Sequence, residues 1–403
     1  MNSIILLELR TFLNVKKILI IISGILIGLS VGVFFLKGVI VDKVSTDGSV
    51  NIVKGNEAIE LLREYDKKSI GYITPEKLIY ARNVFNSSYD EKKDKMIITS
   101  ELLKEDSLVG VMNSLRFPTK NSMVIVPWND VYIPIEYAEN FYDLRHDMIK
   151  RYTDDIQNIR VSKKIWEMEE KIKKPFFIGS NYNIWTDSIE WMTALTAVVI
   201  FVIMIYSASV FTDSKENGIY GIVSKTYLGY KHFAIAKIIT TLFFNTMIYL
   251  ATMFSYLATV YLIIGGEGLL SSIQIDMAFS PGNLLLKDAI IFQLLGGYIG
   301  VLSLTALSMM VSAYCKKTKH SLIIVLSMYG IYGLFTIFIR PASKIINYII
   351  DFSPFGVSQV FFKLPFWSYL DIGIVVWLPV AMCILGIIQW IIFNAVIIHR
   401  MKE

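Results

Sequence analysis

Few residues in this chain of 403 have types and spacing that lend themselves to chemistry. The densest group follows Phe211. Asp213, Lys215 and Glu216 alternate in charge, Gly218 closes the run, and Lys231 and Lys237 lie further along. Mixed charge on a short polar stretch suits a polar protein surface better than lipid, and Gly218 and Gly221 permit a bend or a close approach. Catalytic signatures are missing. Residues 37–190 hold one histidine, His146, no cysteine, and no G-x-S-x-G, H-E-x-x-H or Ca²⁺-loop pattern. No G-x-x-x-x-G-K-[ST] phosphate loop exists anywhere, and the stretch from Gly218 to Lys225 lacks a second glycine at the required offset. Cys315 and Cys383 are too few and too far apart for a disulfide framework or a metal site, and read as buried thiols.

The elements that position these residues follow from composition. The chain is 54% hydrophobic and only 18% charged, against roughly 25% charged in soluble domains. The charge is uneven: residues 37–190 carry 23 Lys/Arg and 25 Asp/Glu, leaving 16 and 9 for all the rest. This excludes a single soluble globule, a disordered chain and a collagen-like one. Runs free of charge and histidine cover 18–36, 191–211, 238–264, 289–314, 321–339 and 372–398. Each approaches the ~20 apolar residues that cross a bilayer core. The first is too long for the apolar part of a signal peptide, and no A-x-A-like site follows it. Asn245, Gln293, Gln389 and Asn394 are the deeper polar groups, expected to join helices to one another.

The reading is therefore an α-helical polytopic membrane protein with six transmembrane helices and a mostly helical extracytoplasmic domain, 37–190, inserted between helices 1 and 2. Orientation comes from Lys/Arg in the short connections. With the N-terminus inside, twelve fall on inner segments, against Lys287, Arg340, Lys344 and Lys363 outside. Both termini are thus expected in the cytoplasm, with 37–190 extracellular and a tail at 399–403. The excess behind the net charge of +5 lies on the membrane part, so it reads as a topology signal and not as nucleic-acid binding. Lys237, at the start of the third run, reads as a lysine reaching for the cytoplasmic headgroups. Outer loops are expected at 265–288 and 340–371, and an inner one at 315–320.

Within the insert, helices are expected near 57–65, 75–85 and 94–115. Apolar residues spaced by three and four predict one long helix over 135–173, about 55 Å long at 1.5 Å per residue, able to stand as a stalk or to form one side of a bundle. A β-like stretch, 123–127, precedes it, and Trp128-Asn129-Asp130 reads as a packed polar turn. At the N-terminus, Ile5, Leu6, Leu9, Phe12 and Leu13 form an apolar stripe. This predicts an interfacial amphipathic helix over 1–17, with Lys16 and Lys17 at its membrane end.

Taken in register with these runs, the segment 212–237 resembles the corresponding loop of ABC-2 type transporter permeases. That family ends its second span in Phe, here Phe211. An acidic and basic stretch with Glu before Gly follows, here Asp213, Lys215, Glu216 and Gly218. A short helix, a basic residue (Lys231) and a Lys at the third span (Lys237) complete the pattern. The chain departs from it at 225–228, where a Pro-containing turn is common, and at Ile219, where Thr is common. Ser353-Pro354-Phe355 falls where the family often has an outer re-entrant segment. The resemblance covers about 250 membrane residues and leaves the insert outside.

The resemblance implies a permease subunit with no catalytic residue, metal or cofactor of its own. ATP is bound by a separate cytoplasmic ABC ATPase subunit that grips the 212–237 loop. Two such ATPases pair with two permeases, so a second copy or a paralogue is expected in a dimer in a bacterial cell membrane. The implied activity is export of an amphiphilic substrate: a peptide, an antibiotic or a lipid-like molecule. The alternative is a membrane-anchored sensor or scaffold whose outer domain binds a ligand or partner without transport. A membrane-embedded enzyme fits least, since no catalytic pair sits within a span.

Overall fold

The computed structural model describes residues 15–90, 95–116, 132–223, 229–338, 344–364 and 368–401. The interfacial helix expected over 1–17 lies outside the described residues up to Asn14, as do 123–130, 225–228, Arg340 and Lys402.

Five helices are long and apolar enough to cross a membrane, in keeping with a multi-pass α-helical membrane protein. They are α1 (Val15–Lys37), α2 (Tyr182–Ser209), α3 (Gly229–Ile264), α4 (Leu286–Tyr314) and α6 (Leu378–Arg400). The remaining apolar run, 321–339, holds α5 (Thr318–Gly333) and a π-helical turn, Leu334–Phe338. Helices and charge-free runs do not share ends. Both α2 and α3 start well before the runs at 191 and 238, because a helix needs only its buried part to be apolar. Conversely, 372–377 is not helical. Tyr369–Asp371 and Val375–Trp377 pair antiparallel around Gly373, whose φ of 94° needs a glycine.

α4 is the hub. Of its most apolar stretch 61% is buried, against 22% for α1 and α6, which lie at the edge of the bundle. Glycines set how closely its neighbours approach. A Cβ at Gly297 would overlap the Tyr249 hydroxyl of α3. One at Gly300 would come within 2.6 Å of Ser358 Cβ, and one at Gly296 would overlap Val360. α1 is held on α3 by Gly24, Gly28 and Gly32, one turn apart. A Cβ there would reach within 2.7 Å of Thr252 Oγ1, overlap Ser255 Oγ, and reach within 2.9 Å of Thr259 Cβ. This is the small-xxx-small packing by which apolar helices associate where lipid removes the hydrophobic drive. Lys17, at the start of α1, rests its ammonium 5.9 Å from both the Tyr206 and Phe244 rings.

The insert is mostly helical: Asn56–Asp66, Pro75–Ser87, Ser100–Arg116, Phe141–Asp154 and Ile159–Glu169 are its main helices. A hairpin, Ile40–Val44 with Val50–Lys54, leads into it. The single long helix over 135–173 does not form. The chain breaks at Asn140 and again at 155–158, where the Asn158 side chain accepts from Arg160 N at 3.0 Å and Val161 N at 3.3 Å. An N-cap costs nothing in apolar periodicity, so the spacing alone did not reveal it. The expected helix over 94–115 starts only at Ser100, since Lys95–Met96 pairs with Tyr89–Asp90.

Nor does the insert stand apart. Its core continues without a break into the bundle through Phe176, Trp185, Ile189 and Met192. Trp185 Nε1 donates to Gly265 O at 3.0 Å. The backbone at Gly179 crosses that at Glu267 so closely that no Cβ fits. The fully buried Arg145 pairs with Glu169 and donates to Ala278 O at 2.8 Å. Asn158 Nδ2 donates to Asp371 Oδ2 at 2.8 Å. Three separate stretches of chain thus form one cap over one end of the bundle.

Replacing Gly28 by Ala is expected to force α1 off α3 and to cost about 2 kcal/mol, read as a lower thermal midpoint of the purified protein. Gly330→Ala, with nothing within 4 Å of its Cβ position, should leave the midpoint equal or slightly higher, since alanine is the better helix former.

Candidate functional site

The α2–α3 connection lies at the end of the bundle opposite the insert. Phe211 is completely buried there, packed with Phe233, Ile238, Met309 and Ile397, which join α3, α4 and α6. The turn out of α2 is pinned to α4, because Phe211 N and Thr212 N donate to Ser312 Oγ at 3.0 and 3.1 Å. One helical turn, Thr212–Glu216, follows. Gly218, at φ 71°, then reverses the chain into a second short helix, Ile219–Val223.

The charged side chains of Thr212–Glu216 work on two helix ends. α4 ends at Tyr314 and α5 begins at Thr318, so unsatisfied carbonyls and unsatisfied amides meet across three residues. Lys215 Nζ donates to Ala313 O and, at 3.0 Å, to Cys315 O, placing a cation at the negative end of α4. Glu216 Oε1 accepts from Thr318 N at 2.9 Å. The Thr318 hydroxyl lies 2.9 Å from Thr212 Oγ1 and 3.1 Å from both Asp213 Oδ1 and Glu216 Oε2. Acid thus meets the positive end of α5, and base the negative end of α4. The alternation of Asp213, Lys215 and Glu216 is the alternation of the two ends that they serve.

The other sequence-predicted residues are placed apart from this contact. Lys231 is exposed on the first turn of α3. Lys237 holds its ammonium 5.5 Å from the centre of the Phe233 ring. Beside the exposed Asp213 and Glu216, the connection turns outward Ile219, Ile222 (72% exposed), Asn217, Gly218 and Gly221. Tyr220, beside the two isoleucines, ties this turn to the end of α6 through a 3.2 Å bond from its hydroxyl to Met401 O.

At the insert end, Ser353 caps the short helix Pro354–Val357, accepting from Gly356 N at 3.1 Å and donating to Ile350 O at 2.7 Å. Phe355 stacks on Tyr332, with ring centres 4.8 Å apart. Gln293 of α4 holds the same segment from below, donating to Ser358 O at 2.9 Å and accepting from Phe361 N at 3.2 Å. Gln389 donates to Phe352 O at 2.7 Å, and Asn245 donates at 2.9 Å to Ser207 Oγ and to Thr305 Oγ1. These three polar residues join elements, as their place in apolar runs predicts. Asn394 bonds only its own helix, at Trp390 O.

Sequence reasoning missed Thr318, Ser312 and the Gly24, Gly28, Gly32 row. The glycine row has a readable signal in its four-residue spacing. Thr318 stands three residues before the apolar run at 321–339, in the range where a threonine marks a helix start. Ser312 carries no signal. Among the described residues, no group of three His, Cys, Asp or Glu is placed to hold a metal ion. The chain matches no protein-family model, no curated protein and no solved structure.

Lys215→Met is expected to strip the α4 carbonyls of their donor and lower the thermal midpoint in detergent, at a cost of about 1–2 kcal/mol. Lys215→Arg should recover most of it. An unchanged midpoint in Lys215→Met would show that the contact carries no weight.

Proposed function

We propose that this chain is the membrane-spanning permease subunit of an ATP-driven exporter of the ABC-2 type, with ATP handled by a separate cytoplasmic subunit. In this reading α5 with its π-helical turn is the sixth crossing. It has 16 and five residues, about 30 Å at 1.5 Å per residue, which matches the hydrocarbon core. Both termini and the 212–237 connection then lie in the cytoplasm, and the insert lies outside. The segment around Ser353, Pro354 and Phe355 is an outer re-entrant element, and a second copy or a paralogue completes the translocator. The cargo is an amphiphile, either a peptide, an antibiotic or a lipid-like molecule.

The observation that carries the reading is the tie between Thr212–Glu216 and the α4–α5 join. A push on the α2–α3 connection acts at once on α2, α3, α4 and α5, which is what a subunit driven from outside the membrane requires. The same geometry refines the docking face. Lys215 is half-buried on the end of α4, whereas Asp213 and Glu216 bond to Thr318 and stay exposed, so the ATPase is expected to meet these two acids together with the outward Ile219 and Ile222, with Lys231 nearby in sequence.

The test is purification of the tagged chain from its native membrane. A P-loop ATPase should co-purify and hydrolyse ATP, and Ile222→Asp should reduce its recovery at least about tenfold, the effect of losing ~1.4 kcal/mol at an interface. Recovery that is equal for wild type and variant would refute the docking face. Absence of any ATPase would refute the exporter reading.

A further inference from the structure

The hairpin that leads into α6 carries its apolar residues outward. Ile372 and Ile374 flank Gly373 at its tip and are 72% and 73% exposed. Ile159, which opens the insert helix Ile159–Glu169, is 80% exposed. Ile159 and Ile374 are the two most exposed isoleucines among the described residues. The segments that carry them are far apart in sequence, yet polar ties hold them side by side. Asn158 Nδ2 donates to Asp371 Oδ2 at 2.8 Å across 213 residues of chain. Arg160 donates to Gly373 O, and its guanidinium lies 3.5 Å from Asp371 Oδ1. Asp371 Oδ1 also accepts from Gly373 N at 3.1 Å, which braces the tip from within.

The height of this patch follows from α6. Its 23 residues make about 34 Å at 1.5 Å per residue, enough to fill a hydrocarbon core of ~30 Å. His399 and Arg400 in the last turn mark the far face, so Leu378 marks the face on the insert's side. Ile374 stands four residues before Leu378, at most ~13 Å above that face even in a fully extended strand. That is the depth of the headgroup layer plus one side chain. Composition agrees. The charge-free run 372–398 is six residues longer than the helical part that begins at Leu378, and the surplus is Ile-Gly-Ile-Val-Val-Trp. A braced tip standing in water has no use for these side chains, whereas lipid accounts for them. The exposed Ile384, Ile387, Ile388 and Ile391 of α6 continue the apolar surface downward. Beside Ile159 the exposed Arg160 and Lys163 supply positive charge at the level of lipid phosphates.

We propose that Ile159, Ile372 and Ile374 dip into the leaflet on the insert's side, so that this edge of the cap is anchored in a phospholipid surface. The isoleucines reach the boundary of headgroups and acyl chains, and Arg160 and Lys163 lie among the phosphates, the division of labour of an interfacial anchor. The insert is then held at this edge by lipid as well as by the hairpin. The inference rests on α6 crossing the membrane and is independent of the exporter reading.

The test uses the full chain in phosphatidylcholine liposomes, with Cys315→Ala and Cys383→Ala removing the native thiols. Ile159→Cys, Ile374→Cys and, as an exposed reference on the insert, Lys95→Cys each receive a nitroxide label. Oxygen concentrates in lipid and a polar nickel chelate stays in water, so their collision rates with the label report its depth. At 159 and 374 the chelate should collide at least about fivefold less than at 95, as a polar reagent excluded from the acyl region, while oxygen collides as often or more. Chelate rates equal to those at 95 would place the tip in water and overturn the proposal. Loss of both reagents would mean that protein, such as a second copy of this chain, covers the patch, and would overturn it equally. The unsubstituted chain gives a second readout. A phosphatidylcholine with a diazirine near the glycerol end of its acyl chain should, on illumination, label the peptides holding Ile159 and 372–374 and spare Pro75–Ser87. Absence of adducts at both sites would contradict the anchor. Neither readout involves an ATPase, so failure here and failure of the exporter reading are told apart.

Discussion

Helix ends carry backbone groups that need partners, and at the join of α4 and α5 two opposite ends meet within three residues. A turn that short cannot satisfy both from its own sequence. The partners come instead from Thr212–Glu216, about 100 residues away, with Lys215 on the carbonyls of Ala313 and Cys315 and Glu216 on the amide of Thr318. One helical turn thereby fixes where α2 stops, where α3 turns back, and how α4 and α5 hang together. Phe211 below it, buried among residues of three helices, makes the same tie apolar. Remaining contacts at this end, such as Tyr220 on Met401, extend the arrangement to α6.

The rest of the bundle is arranged for closeness and not for polarity. Gly24, Gly28 and Gly32 let α1 lie against the threonines of α3, whose hydroxyls bond their own helix and so ask nothing of α1. Gly296 and Gly300 let the segment around Ser353 sit directly on α4. Gln293 then satisfies a carbonyl and an amide of that segment with one side chain. The cap follows a different rule. There, buried charge is common, and Arg145 with Glu169 ties the insert to the 265–285 loop. Polar ties thus join the elements at the cap, and the Thr212–Glu216 contact joins them at the other end.

Much of this was legible in the sequence, for reasons that differ by element. Long charge-free runs located the helices of the bundle, because a stretch able to lie in lipid has few alternatives. Their ends were not legible: α2 keeps its helix through Asp187 and Glu190, whose exposed side chains line a recess beside the insert. The break at 155–158 escaped because an asparagine cap does not disturb apolar spacing. The segment 212–218 stood out in the sequence by its alternating charge, and its charges were read as surface groups. Asp213 and Glu216 are exposed, and what the sequence did not show is their bonding to Thr318 and that of Lys215 to Ala313 O, contacts that no local pattern encodes. The hydroxyl before an apolar run at Thr318 was the one available hint.

The contact between Glu216 and Thr318 is the point on which this arrangement turns, and a double-mutant cycle isolates it. Stability would be measured by reversible unfolding in mixed micelles for wild type, Glu216→Gln, Thr318→Val and the double variant. A coupling energy of about 1 kcal/mol or more, with the double variant hardly worse than either single one, is the predicted result. Additivity within about 0.3 kcal/mol would mean that the Glu216 carboxylate and the Thr318 hydroxyl act independently, and that this side-chain contact does not tie the α2–α3 connection to the α4–α5 join.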